Sequence, residues 1–358
     1  MADAAYLAAC AVKGEVPDSG RVSEMDLTAL YQAAERHNLT AVAAMALESA
    51  GIRQEPFLQA EGKAIRKAAA FDLERADVLA ALEEAGIRYM PLKGCILKDH
   101  YPRLGMRQMA DIDILIDPER REDVQRIMEG RGYTSELLPY SAHDTYQKPP
   151  VFNFEMHRLL FTVLSGEKLY LYFRNIWDRV IKDADNAYGY HLSPEDFYLH
   201  MIAHEYKHSS GGGTGLRSLL DTWVYLLHMG ESMDLAYLAG ELEKLELTDF
   251  EKTNRELAQK VFDGGTMTKA DEEMLDYILS SGTYGTVIHS ADKIIARKGR
   301  MGYLLVRAFP PLQVMHAMYP VLDRWPILLP LCWLRRLFNA WKHKRNKVRI
   351  QLRAAFRR

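Results

Sequence analysis

The chain has 358 residues, 48% of them apolar, with 46 Lys and Arg against 48 Asp and Glu. That composition excludes a disordered chain, a collagen-like repeat and a disulfide scaffold, and the length allows two or three packed units at roughly 100 to 200 residues each. The formal net charge of -2 hides a division: Arg324 to Arg358 holds eleven Lys or Arg and no acidic residue, so residues 1 to 323 carry 35 basic and 48 acidic side chains, a balance of -13.

The first 86 residues read as helical. Ser23, three before Asp26, is the expected cap of a helix with Leu27, Leu30 and Tyr31 on one face, and a longer helix is expected from about Pro56 to Ala85, ended by Gly86. The period then changes. Ile87 to Leu92 reads as a short strand and Asp111 to Ile116 as a second, whose alternation puts Asp111 and Asp113 on one face and Ile112, Ile114 and Ile116 on the other. Asp117-Pro118-Glu119 has the form of a helix start, and the helix should end near Gly130 and Gly132. Tyr133 to Leu138 and Val151 to His157 are further strand candidates. From Ser193-Pro194 the pattern is helical again, with breaks at Gly211-Gly212-Gly213, Gly230, Gly264-Gly265 and Gly282. The plan is an α+β protein: a helical region over 1–86, an α/β core over 87–175, a helical domain over 176–300 and an aromatic and basic helical tail over 301–358.

Three widely spaced cysteines, Cys10, Cys95 and Cys332, argue for a reducing compartment, hence a cytoplasmic protein. Residues 1–30 contain Asp3, Glu15, Asp18, Glu24 and Asp26 and no basic-then-apolar run, so no signal peptide is expected. The longest apolar run, Trp325 to Leu334, is ten residues with two prolines, about half of the roughly 20 that a spanning helix needs.

The chemistry concentrates in Leu92-Lys93-Gly94, Tyr101-Pro102-Arg103-Leu104-Gly105-Met106-Arg107, Ala110-Asp111-Ile112-Asp113-Ile114 and Phe154-Glu155-Met156-His157. Two aspartates one residue apart on a strand point the same way, and alternation puts Asn153, Glu155 and His157 on one face of another. Such a carboxylate trio suits two Mg²⁺ or Mn²⁺ ions about 3.5 to 4 Å apart, the clamp used in phosphoryl and nucleotidyl transfer. Lys93, Gly94, Arg103 and Arg107 supply donors for a polyphosphate.

In this order, a glycine, Asp-hydrophobic-Asp on a strand and an acidic residue on a later strand, the sequence resembles the nucleotidyltransferase superfamily that includes DNA polymerase β. Leu92-Lys93-Gly94 followed by Tyr101-Pro102, Gly105-Met106-Arg107 and Asp111-Ile112-Asp113 is similar, more narrowly, to the bacterial uncharacterised nucleotidyltransferases, over about residues 60 to 230. The resemblance implies a polymerase-β-like mixed sheet flanked by helices, a bound nucleoside triphosphate (NTP), and Mg²⁺ held by Asp111, Asp113 and Glu155. His157, His204, His208, Arg217 and Asp221 would then stand on the acceptor side. Cys95 departs from the broad pattern, which usually has Gly or Ser there, as does the fifteen-residue interval before Asp111.

Two other readings compete. His204-Glu205-Tyr206-Lys207-His208 matches the H-E-x-x-H helix of zinc peptidases, with Glu205 as general base, Glu231 or Asp221 as third ligand, and Thr214 where the longer motif has its third histidine. The other is a catalytically inactive scaffold that binds nucleotide without turnover. The acceptor, whether sugar phosphate, peptide or protein, is not legible. At the C-terminus, Trp341, Val348, Leu352 and Phe356 at near-helical spacing among Lys342, Lys344, Arg345 and Lys347 describe a basic amphipathic helix. Such helices bind anionic membranes, nucleic acid or acidic partners, and the absence of an aromatic stacking platform favours peripheral membrane contact over nucleic acid.

Overall fold

A computed structural model describes residues 2–137, 141–211, 213–281, 287–316 and 318–343. Four helices open the chain, α1 (Ala2–Lys13), α2 (Ser19–Ser23), α3 (Leu27–Arg36) and α4 (Thr40–Ser49), and the long α5 (Glu55–Glu84) follows. The expected Ser23 cap is corrected: Asp26 caps α3, its carboxylate accepting from the amides of Thr28 and Ala29 at 3.0 Å, because an aspartate directly before the first turn reaches its orphan N–H groups.

The α/β part runs β1 (Tyr89–Pro91), α6 (Gly94–Leu97), β2 (Ile112–Ile116), α7 (Arg121–Gly130), β3 (Thr134–Glu136), β4 (His143–Lys148), β5 (Phe152–His157) and α8 (Glu167–Phe173). These strands form one mixed sheet in the order β1-β2-β5-β4-β3, parallel only between β2 and β5. A two-stranded ribbon, β6 (Ile181–Lys182) and β7 (Tyr190–His191), leads into the helices α9 (Pro194–Gly211), α10 (Leu216–Met229), α11 (Leu235–Leu245), α12 (Thr248–Asp263) and α13 (Lys269–Ser281). Beyond them lie α14 (Val287–Ala308), α15 (Leu312–His316), α16 (Val321–Arg324) and α17 (Leu329–His343). Gly282 and the basic tail from residue 344 lie outside the described residues. Among the described residues no helix is long and apolar enough to cross a membrane.

Three cores hold the part from α1 to α13 together. On one face of the sheet, Ile112, Ile114 and Ile116 pack with Phe71, Val78 and Leu82 of α5 and Val124 and Met128 of α7. Each buried isoleucine is worth about 1.5–3 kcal/mol, so the alternation of β2 alone fixes which way its aspartates face. On the other face, Met90, Leu92 and Leu115 meet Tyr198, Leu199 and Ile202 of α9 and Leu238 and Leu242 of α11. A third core joins α1, α3 and α4 to Leu219, Leu220 and Trp223 of α10 and Leu257 and Phe262 of α12, with Tyr101 and Met106 wedged between. Asp144, 1% exposed, receives both prongs of Arg121 at 2.6 and 2.7 Å and so ties β4 to α7.

Candidate active site

The sheet face toward α9 carries the carboxylates. Asp111 stands just before β2 and Asp113 on it, and the parallel register sets Asp113 beside Glu155 and Leu115 beside His157. Across the antiparallel β4–β5 pair, His143 stands opposite His157, which puts both rings on this face, their centroids 4.9 Å apart. The sequence expectation did not include His143.

Lys93 follows β1 with φ 41° and ψ −106°, a region that a residue with a side chain enters at a cost of about 1–3 kcal/mol. It is held there because the Leu92 amide donates to the Asp113 carbonyl (2.9 Å) and the Lys93 carbonyl accepts from the amides of Ile96 and Leu97 (3.0 and 2.8 Å). The distortion brings Lys93 Nζ to 3.6 Å from Asp113 Oδ1. Gly94 leaves room for Arg107: a Cβ at residue 94 would sit 2.8 Å from Arg107 Nη1.

Arg107 is nearly buried and its fork is already engaged. Its Nε and Nη2 donate to the two carboxylate oxygens of Asp221 at 2.8 and 2.9 Å, and the Tyr101 hydroxyl donates to the same carboxylate at 2.7 Å. Nη1 is the arm that faces Gly94. Arg217 donates from Nη1 to the Gln108 carbonyl (2.8 Å), pinning the segment that leads to Asp111. Arg103 is placed elsewhere: its side chain is half exposed and pairs with Glu61 at 3.3 Å and Glu48 at 3.9 Å. Four residues from Arg107 in an irregular turn, it faces α4 and α5 instead of the cleft, so it does not join the expected phosphate-binding group.

A cavity of about 670 Å³ gathers Lys93, Gly94, Arg107, Asp111, Asp113, Glu155, His157, His204, His208, Arg217 and Asp221, together with His143 and Lys207. That is the usual scale of a small-molecule site. Across the Arg107–Ala110 segment a second cavity of about 470 Å³ is lined by Lys63 and Lys67 of α5.

The electrostatics follow from crowding. Burial, then the charges of Asp113 and Glu155, push Asp111 up to about 6. Asp113 goes the other way: burial opposes its charge, but Lys93 and the His157 hydrogen bond (2.8 Å) outweigh it and hold the carboxyl far below the usual range. Burial works against a proton on His157, yet its bond to Asp113 and its contact with Glu155 raise it above its ordinary value. On the opposite wall, burial and then Lys93 depress His204, and burial and then Lys207 depress His208, so both imidazoles are neutral near pH 7. Burial and then Lys93 bring Lys207 down to about 8.

The zinc-peptidase reading is corrected. His204 and His208 do share a face of α9, with Nε2 atoms 3.1 Å apart. Glu205, about 100° around the helix, turns instead into the α10–α12 interior, where Thr222 (3.3 Å) and Asn254 (3.0 Å) donate to its Oε2. A general base would have to face the metal, and Asp221, one of the two candidate third ligands, is taken by Arg107. Among the described residues, the group of His, Cys, Asp and Glu side chains with metal-ligand proximity is His143, Glu155 and His157.

The site thus sets paired aspartates beside a glutamate on adjoining strands, faced by lysine and arginine side chains across one cleft. The chain belongs to the uncharacterised nucleotidyltransferase family, whose model matches residues 23–263 and so takes in every wall of the cleft. The expected resemblance over about 60 to 230 thus extends at both ends. No curated protein and no solved structure matches the chain.

Proposed function

We propose that the protein is a nucleotidyltransferase with a polymerase-β-like core over 87–175, framed by the helices of 1–86 and 176–300, that moves a nucleoside monophosphate from an NTP to a hydroxyl or phosphate acceptor and releases pyrophosphate. The observation that carries this reading is the register of Asp113 against Glu155 on parallel strands, with Lys93 reaching over them. Asp111, Asp113 and Glu155 would hold a divalent cation, Mg²⁺ or Mn²⁺. Asp111, pushed up to about 6 by burial and by the charges of Asp113 and Glu155, is a carboxylate short of positive charge, which fits such an ion. When bound, the ion neutralises the triphosphate and polarises the reacting oxygens.

The protein's own groups do the rest. Lys93, Arg107 through Nη1, and Lys207 bind and orient the phosphates, and the backbone at Gly94 lets them approach closely. Glu155 lies within reach of an acceptor hydroxyl proton at the sheet face, with His143 and His157 orienting its Oε2. His204, His208, Arg217 and Asp221 shape the acceptor side, where neutral imidazoles offer hydrogen bonds without adding charge. The candidate acceptor classes are sugar phosphate, peptide and protein.

The test is a panel of labelled NTPs incubated with cell extract, with the wild type and Asp113→Asn side by side. Label should move onto a larger molecule with the wild type alone. Transfer retained by Asp113→Asn sinks the assignment, and NTP bound with no transfer to any acceptor makes the protein a binding scaffold.

A further inference from the structure

Two imidazoles share the sheet face with the carboxylates, and their placement is tighter than a supporting role requires. His143 Nδ1 lies 3.4 Å from Glu155 Oε2, and His157 Nε2 lies 3.6 Å from the same oxygen. One ligand atom from each of the three residues lies within 4.8 Å of the other two. Around a tetrahedral ion with bonds of about 2.1 Å, neighbouring ligand atoms are about 3.4 Å apart, so two edges of a coordination shell already have their length. Asp113 Oδ1 is hydrogen-bonded to His157 Nε2 at 2.8 Å and stands outside this group of three.

The backbone sets this geometry. His143 and His157 are paired across an antiparallel ladder and Glu155 is two residues back on the same face, so all three side chains leave one surface within two strand positions. His143, Glu155 and His157 also line the main cavity, so an ion there would meet the substrate.

Resting on the nucleotidyltransferase reading, we infer that the cleft takes a first-row transition-metal dication through His143, Glu155 and His157, in preference to Mg²⁺. The reason is donor chemistry. Imidazole nitrogen favours ions later in the Irving–Williams order, whereas Mg²⁺ demands oxygen ligands and keeps its waters. Two nitrogens among three protein donors therefore shift the selection without any change in the carboxylates.

The experiment uses the full chain, stripped with chelator and reloaded with Co²⁺ or Mn²⁺ as probes. Expected are a Co²⁺ visible band more intense than that of the aquo ion, and histidine-nitrogen coupling in the pulsed EPR spectrum of bound Mn²⁺. Co²⁺ should stay bound in an excess of Mg²⁺, and His143→Ala should weaken Co²⁺ binding by at least about 100-fold, since even outer-shell changes cost 10- to 100-fold. Oxygen-only coordination, or displacement of Co²⁺ by Mg²⁺ at comparable concentration, overturns the inference. If His143→Ala does not fold, nitrogen coupling in the unmodified protein decides alone. NMP transfer with Mg²⁺ and no nitrogen coupling would leave the transferase reading standing without the histidine site. Nitrogen coupling with no transfer would do the reverse.

Discussion

Asp221 sits where stability and the candidate site meet, and Asp221→Ala separates the two. The substitution strands Arg107, 8% exposed, without either of its carboxylate bonds, and leaves the Tyr101 hydroxyl, in a residue 6% exposed, without its acceptor. Removing one partner of a buried ion pair costs about 3–5 kcal/mol because the remaining charge has no compensation. Against a total stability of about 5–15 kcal/mol that is a fifth or more, so urea unfolding followed by the fluorescence of Trp223, two residues along α10, should show a large drop in midpoint. The double variant Arg107→Met with Asp221→Leu removes both charges. It should regain most of the lost stability but none of the NTP affinity, because the arm facing Gly94 is gone. A single variant that loses less than about 1 kcal/mol would refute the view that this pair is desolvated and structural. A double variant that binds NTP like the wild type would refute a phosphate role for Arg107.

Three further outcomes follow from the same geometry. Gly105→Ala should destabilise the fold by about 1–3 kcal/mol in thermal melts, since φ is +88° and a Cβ would meet the Ile65 backbone at 2.9 Å; unchanged melting would show that the turn relaxes. Burial raises Glu205 from 4.5 to about 7, so between those values the folded state binds the extra proton and stability falls as pH rises, by at most about 1.4 kcal/mol per unit. Glu205→Gln should flatten that slope in unfolding measured from pH 4.5 to 7.5, and a slope that survives the change would place its origin elsewhere. Lys207, brought down to about 8, loses its charge as pH climbs past that value, so NTP affinity by calorimetry should weaken above pH 8 in the wild type. Lys207→Arg should carry the charge to higher pH, and identical pH profiles would remove Lys207 from the phosphate-binding group.

The long helix, the Asp-Ile-Asp strand and the Glu155 face were legible in the sequence because each rests on local periodicity: an uninterrupted 3.6-residue pattern to Gly86, and strict alternation from Asp111 to Ile116 and along Phe152 to His157. Strand β4 was not. His143 to Lys148 is polar throughout apart from Tyr146, and its inward Asp144 is tolerated through Arg121, a partner 23 residues away, and through Arg158, neither of which a local pattern announces. The faint signal was the alternation itself, ending at Pro149-Pro150 before the next strand. With β4 unseen, His143 went unseen as well. Arg103 and Arg107 illustrate the same limit in a loop, where no period says which of two arginines turns inward. In the peptidase-like motif the letters are right, but Glu205 is oriented by Asn254, 49 residues further on.

The shared cores bear on how far the five-stranded sheet can travel through evolution or by engineering. Residues 87–175 look in sequence like a cassette that might be lifted out, yet Met90, Leu92, Leu97 and Leu115 rest on α9 and α11, and Tyr101 and Met106 are gripped between α1–α4 and α10. A fragment cut at those borders would carry its aspartates on a sheet with one side stripped bare. The unit that can be inherited or transplanted is therefore the sheet with its helical vise, close to the span from 23 to 263 that the family model matches.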